Sequence, residues 1–296
     1  MHPRVASVLS GQGRSVMANL RNRWAVGRVL VSTLACAVSV GLLSLWDGRG
    51  TLLSAGTEPG APEFAYSGDE GPGFWGETPG WEACAGTSPS QRQSPIDIDQ
   101  IVFDRHLRPL QLQLHETPLA LTNNGHTIEE EYEPGSSLTV NGVLYELSQF
   151  HFHTLSEHTV GGRHAAMELH AVFADPASAN KAVVGQLFVI GKANRFVAEL
   201  LAHGLPAKSG DEVNIPSEMI NVAEALTSTA RYYTYSGSLT TPPCSETVTW
   251  FVLHKYAQLS NVQFNEFRHI LGNNFRPLQK RNARTIRSSV GEDDEQ

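Results

Sequence analysis

Five of the chain's twelve histidines fall inside QFHFHTLSEHTVGGRHAAMELH, residues 149–170. Two of them, His151 and His153, are separated by a single phenylalanine. Side chains alternate along a strand, so residues two apart share a face. A strand over 149–153 turns Gln149, His151 and His153 one way and Phe150 and Phe152 the other. The segment MELHAVF (167–173) is also strand-like and puts Glu168 and His170 on one face. Two adjacent antiparallel strands then bring His151, His153 and His170 to one point. Three neutral nitrogens with an open fourth position suit a catalytic Zn²⁺. Gln149 and Glu168 can each accept the spare ring N–H of a ligand histidine and so fix its tautomer.

Two other readings fit parts of the pattern. Exposed histidines account for many His-x-His pairs. A cupin-type iron site also uses His-x-His followed by a glutamate, which His151, His153 and Glu157 match.

The elements that must position these residues are mostly strands. LQLQLHE (110–116) alternates strictly. HTIEEEYE (126–133), SLTVNGVLYEL (137–147), AVVGQLFVIG (182–191) and ETVTWFVLHK (246–255) are further candidates. Helices are few. One spans NRFVAELLAHG (194–204). Another begins at a capping box of Ser260 and Gln263 and stops at Gly272. The fold class is predominantly β, with α+β character from surface helices on a large sheet.

With 296 residues, 41% of them apolar and 18% charged, the chain has material for a sizeable core. The net charge is −8, unevenly spread. Residues 1–60 hold six basic and two acidic residues, leaving 16 basic and 28 acidic on the remainder. An acidic globule of that kind is a poor partner for nucleic acid. VLVSTLACAVSVGLLSLW (29–46) carries no charge and follows Arg21, Arg23 and Arg28. It reads as an export signal or an uncleaved membrane anchor, with Met1 or Met17 as the start. The expected organisation is an export segment over 1–46 and a Gly/Pro-rich linker over 47–63. A folded domain follows over 64–290, then an acidic tail over 291–296. The domain lies outside the cytoplasm, periplasmic or secreted. Of three cysteines, Cys36 lies in the apolar segment. The remaining pair, Cys84 and Cys244, suits one disulfide in an exported domain, with two buried thiols as the alternative.

Several separated motifs appear in one order: RQSPIDI (92–98), NNGH (123–126), QFHFH (149–153), SEHTV…AMELH (156–170), GSLTTPPC (237–244), VTWFV (248–252) and NFRP (274–277). Together they resemble the α-class carbonic anhydrases over about residues 64–287. The second cupin motif is absent. The resemblance implies a single domain on a large, twisted, mainly antiparallel sheet. It implies reversible hydration of CO₂ to bicarbonate and a proton, by zinc-hydroxide attack with histidine proton shuttling. It implies Zn²⁺ on His151, His153 and His170, with Gln149 and Glu168 behind them. Glu157 and Thr240 match a gatekeeping pair in which the Thr240 hydroxyl donates to Glu157. His126 matches the proton shuttle. Val172, Val183, Leu239, Thr241 and Trp250 match the substrate pocket, and Tyr66 and Asn124 match polar residues that organise solvent. Cys84 and Cys244 match a disulfide of exported members. The expected partner is a small molecule, CO₂ or bicarbonate.

Two departures stand out. Thr154 replaces a tryptophan that many relatives carry after the second ligand, which predicts looser packing beneath the site. Glu129 falls where an amide often lines the cavity, and it opens the acidic run Glu129-Glu130-Glu131.

Overall fold

A computed structural model describes residues 63–291. These belong to one compact unit, Ala61–Gln296. The proposed export segment and the linker up to residue 62 lie outside the described residues, as does the tail beyond Gly291.

Eight strands form the body of a thirteen-stranded sheet. In chain order they are β1 (Thr117–Asn123), β2 (Ile128–Glu131), β3 (Val143–His153), β4 (Met167–Ala174), β5 (Lys181–Ile190), β6 (Glu212–Ile220), β7 (Tyr232–Gly237) and β8 (Val248–Leu253). Their spatial order is β6-β1-β2-β3-β4-β5-β8-β7, and the short strands Arg287–Ser288 and Val102–Phe103 extend it past β7. Neighbours along this path are antiparallel, except at two parallel pairings. One is β5 with β8, and the other joins the two short edge strands. The expected predominantly β, mainly antiparallel sheet is present, with a parallel seam that the sequence pattern does not announce.

Period-two alternation splits the sheet into two sides. Phe150, Phe152, Leu169, Ala171, Val184 and Phe188 join the main apolar core. Val172, Val183, Leu187, Val248, Trp250 and Val252 form a second cluster on the opposite face. The histidines share the parity of this second cluster, so the site sits over the middle of the sheet.

Two helices are present among the described residues, α1 (Arg195–Leu201) and α2 (Asn261–Leu271). Asn194 caps α1 by accepting from the Val197 N–H, and α1 ends before the expected 204. α2 starts on the expected capping box, with Ser260 and Gln263 each accepting the other's backbone N–H. It stops at Gly272, whose φ of 62° suits a residue without Cβ.

The run read as one strand over 137–147 is a hairpin. A strand at Ser137–Val140 turns through Asn141 and Gly142, both at positive φ, into β3. Asn-Gly is the dipeptide that such a tight turn demands. The strand expected over 110–116 is confined to Gln111–Gln113.

Candidate active site

β3 and β4 pair antiparallel so that His151 lies opposite His170 and His153 opposite Glu168. One nitrogen from each of His151, His153 and His170 falls within 4.8 Å of the others. The outer ring nitrogens are all engaged. His151 Nδ1 lies 2.7 Å from Gln149 Oε1, and His170 Nε2 lies 2.9 Å from Glu168 Oε1. His153 Nδ1 lies 2.6 Å from the backbone carbonyl of Asn274. Each acceptor takes a ring N–H, leaving His151 Nε2, His153 Nε2 and His170 Nδ1 to converge. His153 Nε2 is buried and has no hydrogen-bond partner among the described residues. A buried polar atom without a partner is costly, and a bound cation removes that cost. Burial, then repulsion from the other two rings, holds His151 well below the usual histidine pKa; burial also lowers His153, with the charge of Glu157 opposing. Three neutral imidazoles with fixed tautomers fit Zn²⁺.

Glu168 anchors this arrangement. Its Oε1 accepts from His170 and from His158 Nδ1 at 2.8 Å. Its Oε2 accepts the backbone N–H groups of Glu157 and His158 at 2.8 and 2.9 Å. Burial alone would raise its pKa, but the two histidines outweigh that and hold it well below the carboxylate range. His158, Glu168 and His170 form a second compact cluster. His158 has no nitrogen to spare for a metal, because its Nε2 bonds the Tyr235 hydroxyl at 2.7 Å. It is a satisfied structural histidine.

The segment after α2 closes the site from below, and sequence reasoning missed its role. Asn274 takes the His153 ring proton on its carbonyl, and its side-chain amide donates to the carbonyls of His126 and Phe152. Thr154 is fully buried. Its N–H donates to Asn274 Oδ1 at 2.8 Å and its hydroxyl to the Gly272 carbonyl at 2.7 Å. The packing expected to be loose here is instead tied by hydrogen bonds, because a small hydroxyl reaches backbone that a large ring would cover. The only sequence signal for these contacts was the NFRP motif itself.

The gatekeeping pair differs from expectation. Glu157 is fully buried, and its Oε1 accepts the Arg276 N–H at 2.8 Å. Its Oε2 has no hydrogen-bond partner among the described residues and faces His153 Nε2 at 3.6 Å. No hydrogen bond joins Thr240 to Glu157, although Thr240 is itself buried. The backbone N–H of Arg276 takes one carboxylate oxygen, and the other is an open acceptor.

Two cavities flank His151. One, about 230 Å³, is lined by His170, Val172, Val183, Leu239, Thr240, Thr241 and Trp250. Lys181 reaches the same cavity and is a cation that the motifs did not flag. The other, about 180 Å³, is lined by Tyr66, Asn124, His126, Glu129, Gln149, His153 and Thr241 among others. An apolar and a polar compartment therefore meet at the three histidines. Burial, then the charge of Glu157, raises the Tyr66 hydroxyl well above its ordinary pKa. Asn124 is exposed, and its Oδ1 accepts the N–H groups of His126 and Thr127. Its first task is thus to shape the turn that presents His126. His126 stacks on Phe64, with ring centroids 3.8 Å apart and planes 11° from parallel. Partial burial lowers its pKa, with Glu63 opposing.

Cys84 and Cys244 form a disulfide. It fastens the segment after β7 that carries Leu239, Thr240 and Thr241.

A sequence profile of the eukaryotic-type carbonic anhydrases matches residues 70–290. The chain is 34% identical to alpha carbonic anhydrase 7 of Arabidopsis thaliana, over 86% of this chain and 96% of that one. It is 37% identical to a carbonic anhydrase of Klebsiella pneumoniae, over 76% and 91% of the two chains. A solved hyperthermostable carbonic anhydrase from an active hydrothermal vent chimney superimposes with a TM-score of 0.71 at 39% identity. That match covers 77% of this chain and all of the other.

Proposed function

The chain belongs to the eukaryotic-type, α-class carbonic anhydrase family, whose members are zinc enzymes, and we propose that His151, His153 and His170 form its zinc site. The protein is a carbonic anhydrase, catalysing the reversible hydration of CO₂ to bicarbonate and a proton. The observation that carries the site assignment is the convergence of three imidazoles, His153 and His170 buried and His151 partly so, whose outer nitrogens are all engaged. Bound Zn²⁺ supplies the Lewis acidity that makes water a nucleophile near neutral pH.

The remaining roles belong to the chain. Neutral ligands leave the metal's double charge uncancelled, where thiolates or carboxylates would reduce it. Val172, Val183, Leu239 and Trp250 give an apolar gas a dry wall beside His151 and His170. Thr241 stands where both compartments meet. Glu157 Oε2, an acceptor left without a partner among the described residues, is assigned to the Thr240 hydroxyl. A hydroxyl committed as donor to a carboxylate can only accept from the reacting oxygen, which orients it. His126, at the edge of the polar compartment, takes the released proton on its ring and passes it to buffer. Partial burial lowers its pKa, which favours the neutral ring that can accept a proton. Tyr66 and Asn124 line the path between.

Export is proposed on the charge-free run 29–46 and its arginine flank, cleaved or retained as an anchor. The disulfide supports an oxidising compartment, periplasmic or extracellular. No helix among the described residues is long and apolar enough to cross a membrane.

Stopped-flow CO₂ hydration, paired with elemental analysis, tests the site. Native protein should carry one zinc per chain, and a chelator should remove metal and activity together. His170→Ala should lose both. Full hydration activity in that variant, or a native protein without zinc, would end the proposal.

A further inference from the structure

We propose that Glu129 is a positioning residue that dictates which nitrogen of His151 is offered to the metal. Among the three ligand histidines, only His151 leans on a group of ambiguous polarity. His153 donates to a backbone carbonyl and His170 to a carboxylate, both of which only accept. His151 instead meets the primary amide of Gln149. An amide's two ends have nearly the same size, and one is a donor while the other is an acceptor. If Gln149 turned over, its NH₂ would face His151 Nδ1. The ring would then have to accept there and carry its proton on Nε2, the nitrogen the metal needs.

Glu129 blocks that turnover from the far side. Gln149 Nε2 donates to Glu129 Oε2 at 2.6 Å, a short contact of the charge-assisted kind. Burial, then Glu131, raises the Glu129 pKa, and the Gln149 hydrogen bond opposes this; as a carboxylate Glu129 offers no proton in return, so the NH₂ is committed to Glu129 and Oε1 to His151 Nδ1 at 2.7 Å. The strands make this geometry unavoidable. β2 and β3 pair so that Glu129 lies opposite His151, and Glu131 lies opposite Gln149. Parity then places Glu129 on the face shared by Gln149 and His151, one diagonal step from Gln149. Glu129 therefore acts through Gln149 on the orientation of a ligand, without touching substrate.

This inference rests on His151 being a zinc ligand, as proposed above. Its test uses full-length, zinc-loaded protein and two substitutions of matched shape. Glu129→Gln keeps the volume but lets the new amide present either end. Zinc affinity, measured by chelator competition, should fall about tenfold, the lower range for partners behind a ligand. The His151 Nδ1–H signal in ¹⁵N-edited NMR should broaden or vanish, while those of His153 and His170 stay. The double exchange Glu129→Gln with Gln149→Glu restores a donor facing an acceptor and leaves a carboxylate against His151. It should recover the Nδ1–H signal and bring zinc affinity back to within about threefold of native. A Glu129→Gln protein with native affinity and an intact His151 signal would overturn the inference alone. So would a double variant no better than the single one, because a merely structural role would not be rescued by inverted polarity. A native protein that binds no zinc would instead overturn the site assignment beneath it.

Discussion

At the scale of single residues, two titrating groups do opposite things. His126 is held partly out of water against Phe64, and burial lowers its pKa. In its proposed role as proton carrier, His126 is dispensable wherever buffer can take its place. His126→Ala should therefore lower turnover on the order of ten- to a hundredfold in weak buffer. Added imidazole should restore most of it, and full activity without rescue would remove His126 from the path. Glu130, three residues past Thr127, has no part in the chemistry. It is fully buried, and both its oxygens accept the Ala120 N–H. Burial raises its pKa to about 7. A carboxyl raised above its unfolded value costs nothing below about pH 4. Its penalty grows as pH climbs toward 7, because the unfolded chain gives up the proton first, and then stays constant. The penalty is at most on the order of 3 kcal/mol. Glu130→Gln keeps an acceptor for Ala120 without the charge. Its melting temperature should exceed the native one at pH 8.5 and converge with it near pH 4.5. A pH-independent difference would refute this account. The clustering of His151, His153 and His170 was legible in the sequence because residue type and period-two spacing both pointed to it. The third outer acceptor was not, because any residue can offer the carbonyl that Asn274 supplies from 121 positions away.

At the scale of elements, register sets the site more than any side chain does. β4 lies between β3 and β5, and β5 carries Gly185 directly opposite His170. A Cβ at that position would fall 2.9 Å from Glu168 Oε1 and 3.7 Å from Val252 Cγ2. Glu168 cannot swing aside, since it accepts four N–H groups in a fully buried setting. Gly185→Ala should push that carboxylate off His170 and weaken zinc binding about 10- to 100-fold, read by chelator competition. An unchanged dissociation constant would mean that Glu168 has more room than its contacts suggest. The strands bearing His151 and His170, and the strands β5 and β8, were readable from alternation. β1 was not, because Pro118 and mixed small residues interrupt its pattern. Nor was β6, whose mostly exposed residues and Pro216 give no clean period. The hairpin at Asn141-Gly142 was hidden inside a run that reads as one strand, although its turn dipeptide was in plain view. The parallel β5–β8 pairing depends on a crossover of some 60 residues, and local pattern carries no trace of that.

At the scale of the whole molecule, the catalytic segment after β7 hangs on contacts that join distant parts of the chain. Arg276 is fully buried, with its guanidinium 5.7 Å from the Trp75 ring centre. It donates to the carbonyls of Cys84 and Ser94 and to Gln93 Oε1. Burial lowers its pKa to about 10, still far above neutrality, so it stays charged. Its own N–H holds Glu157, so one residue links the segment around Cys84 to the gate carboxylate. The Cys84–Cys244 disulfide makes a second link to the same segment, across a separation of 160 residues. Closing so long a loop restricts the unfolded chain by about 5 kcal/mol as a ceiling. Cysteine count made this pairing legible, while the arginine staple needed a fold to bring it together. The two links predict a divided outcome for Cys84→Ser with Cys244→Ser. Loss of the covalent link should lower stability by about 2–5 kcal/mol in denaturant titration. The Gln93 side-chain amide donates to the Cys244 carbonyl and the Ser94 N–H to Ser238 Oγ, and neither bond depends on sulfur, so Thr240 should keep its place in the folded fraction. Hydration activity per folded, zinc-loaded chain should then remain within about twofold of native, because the entropy term acts on the unfolded state. A collapse of specific activity at native zinc occupancy would show instead that the disulfide sets the geometry of the 239–241 segment directly.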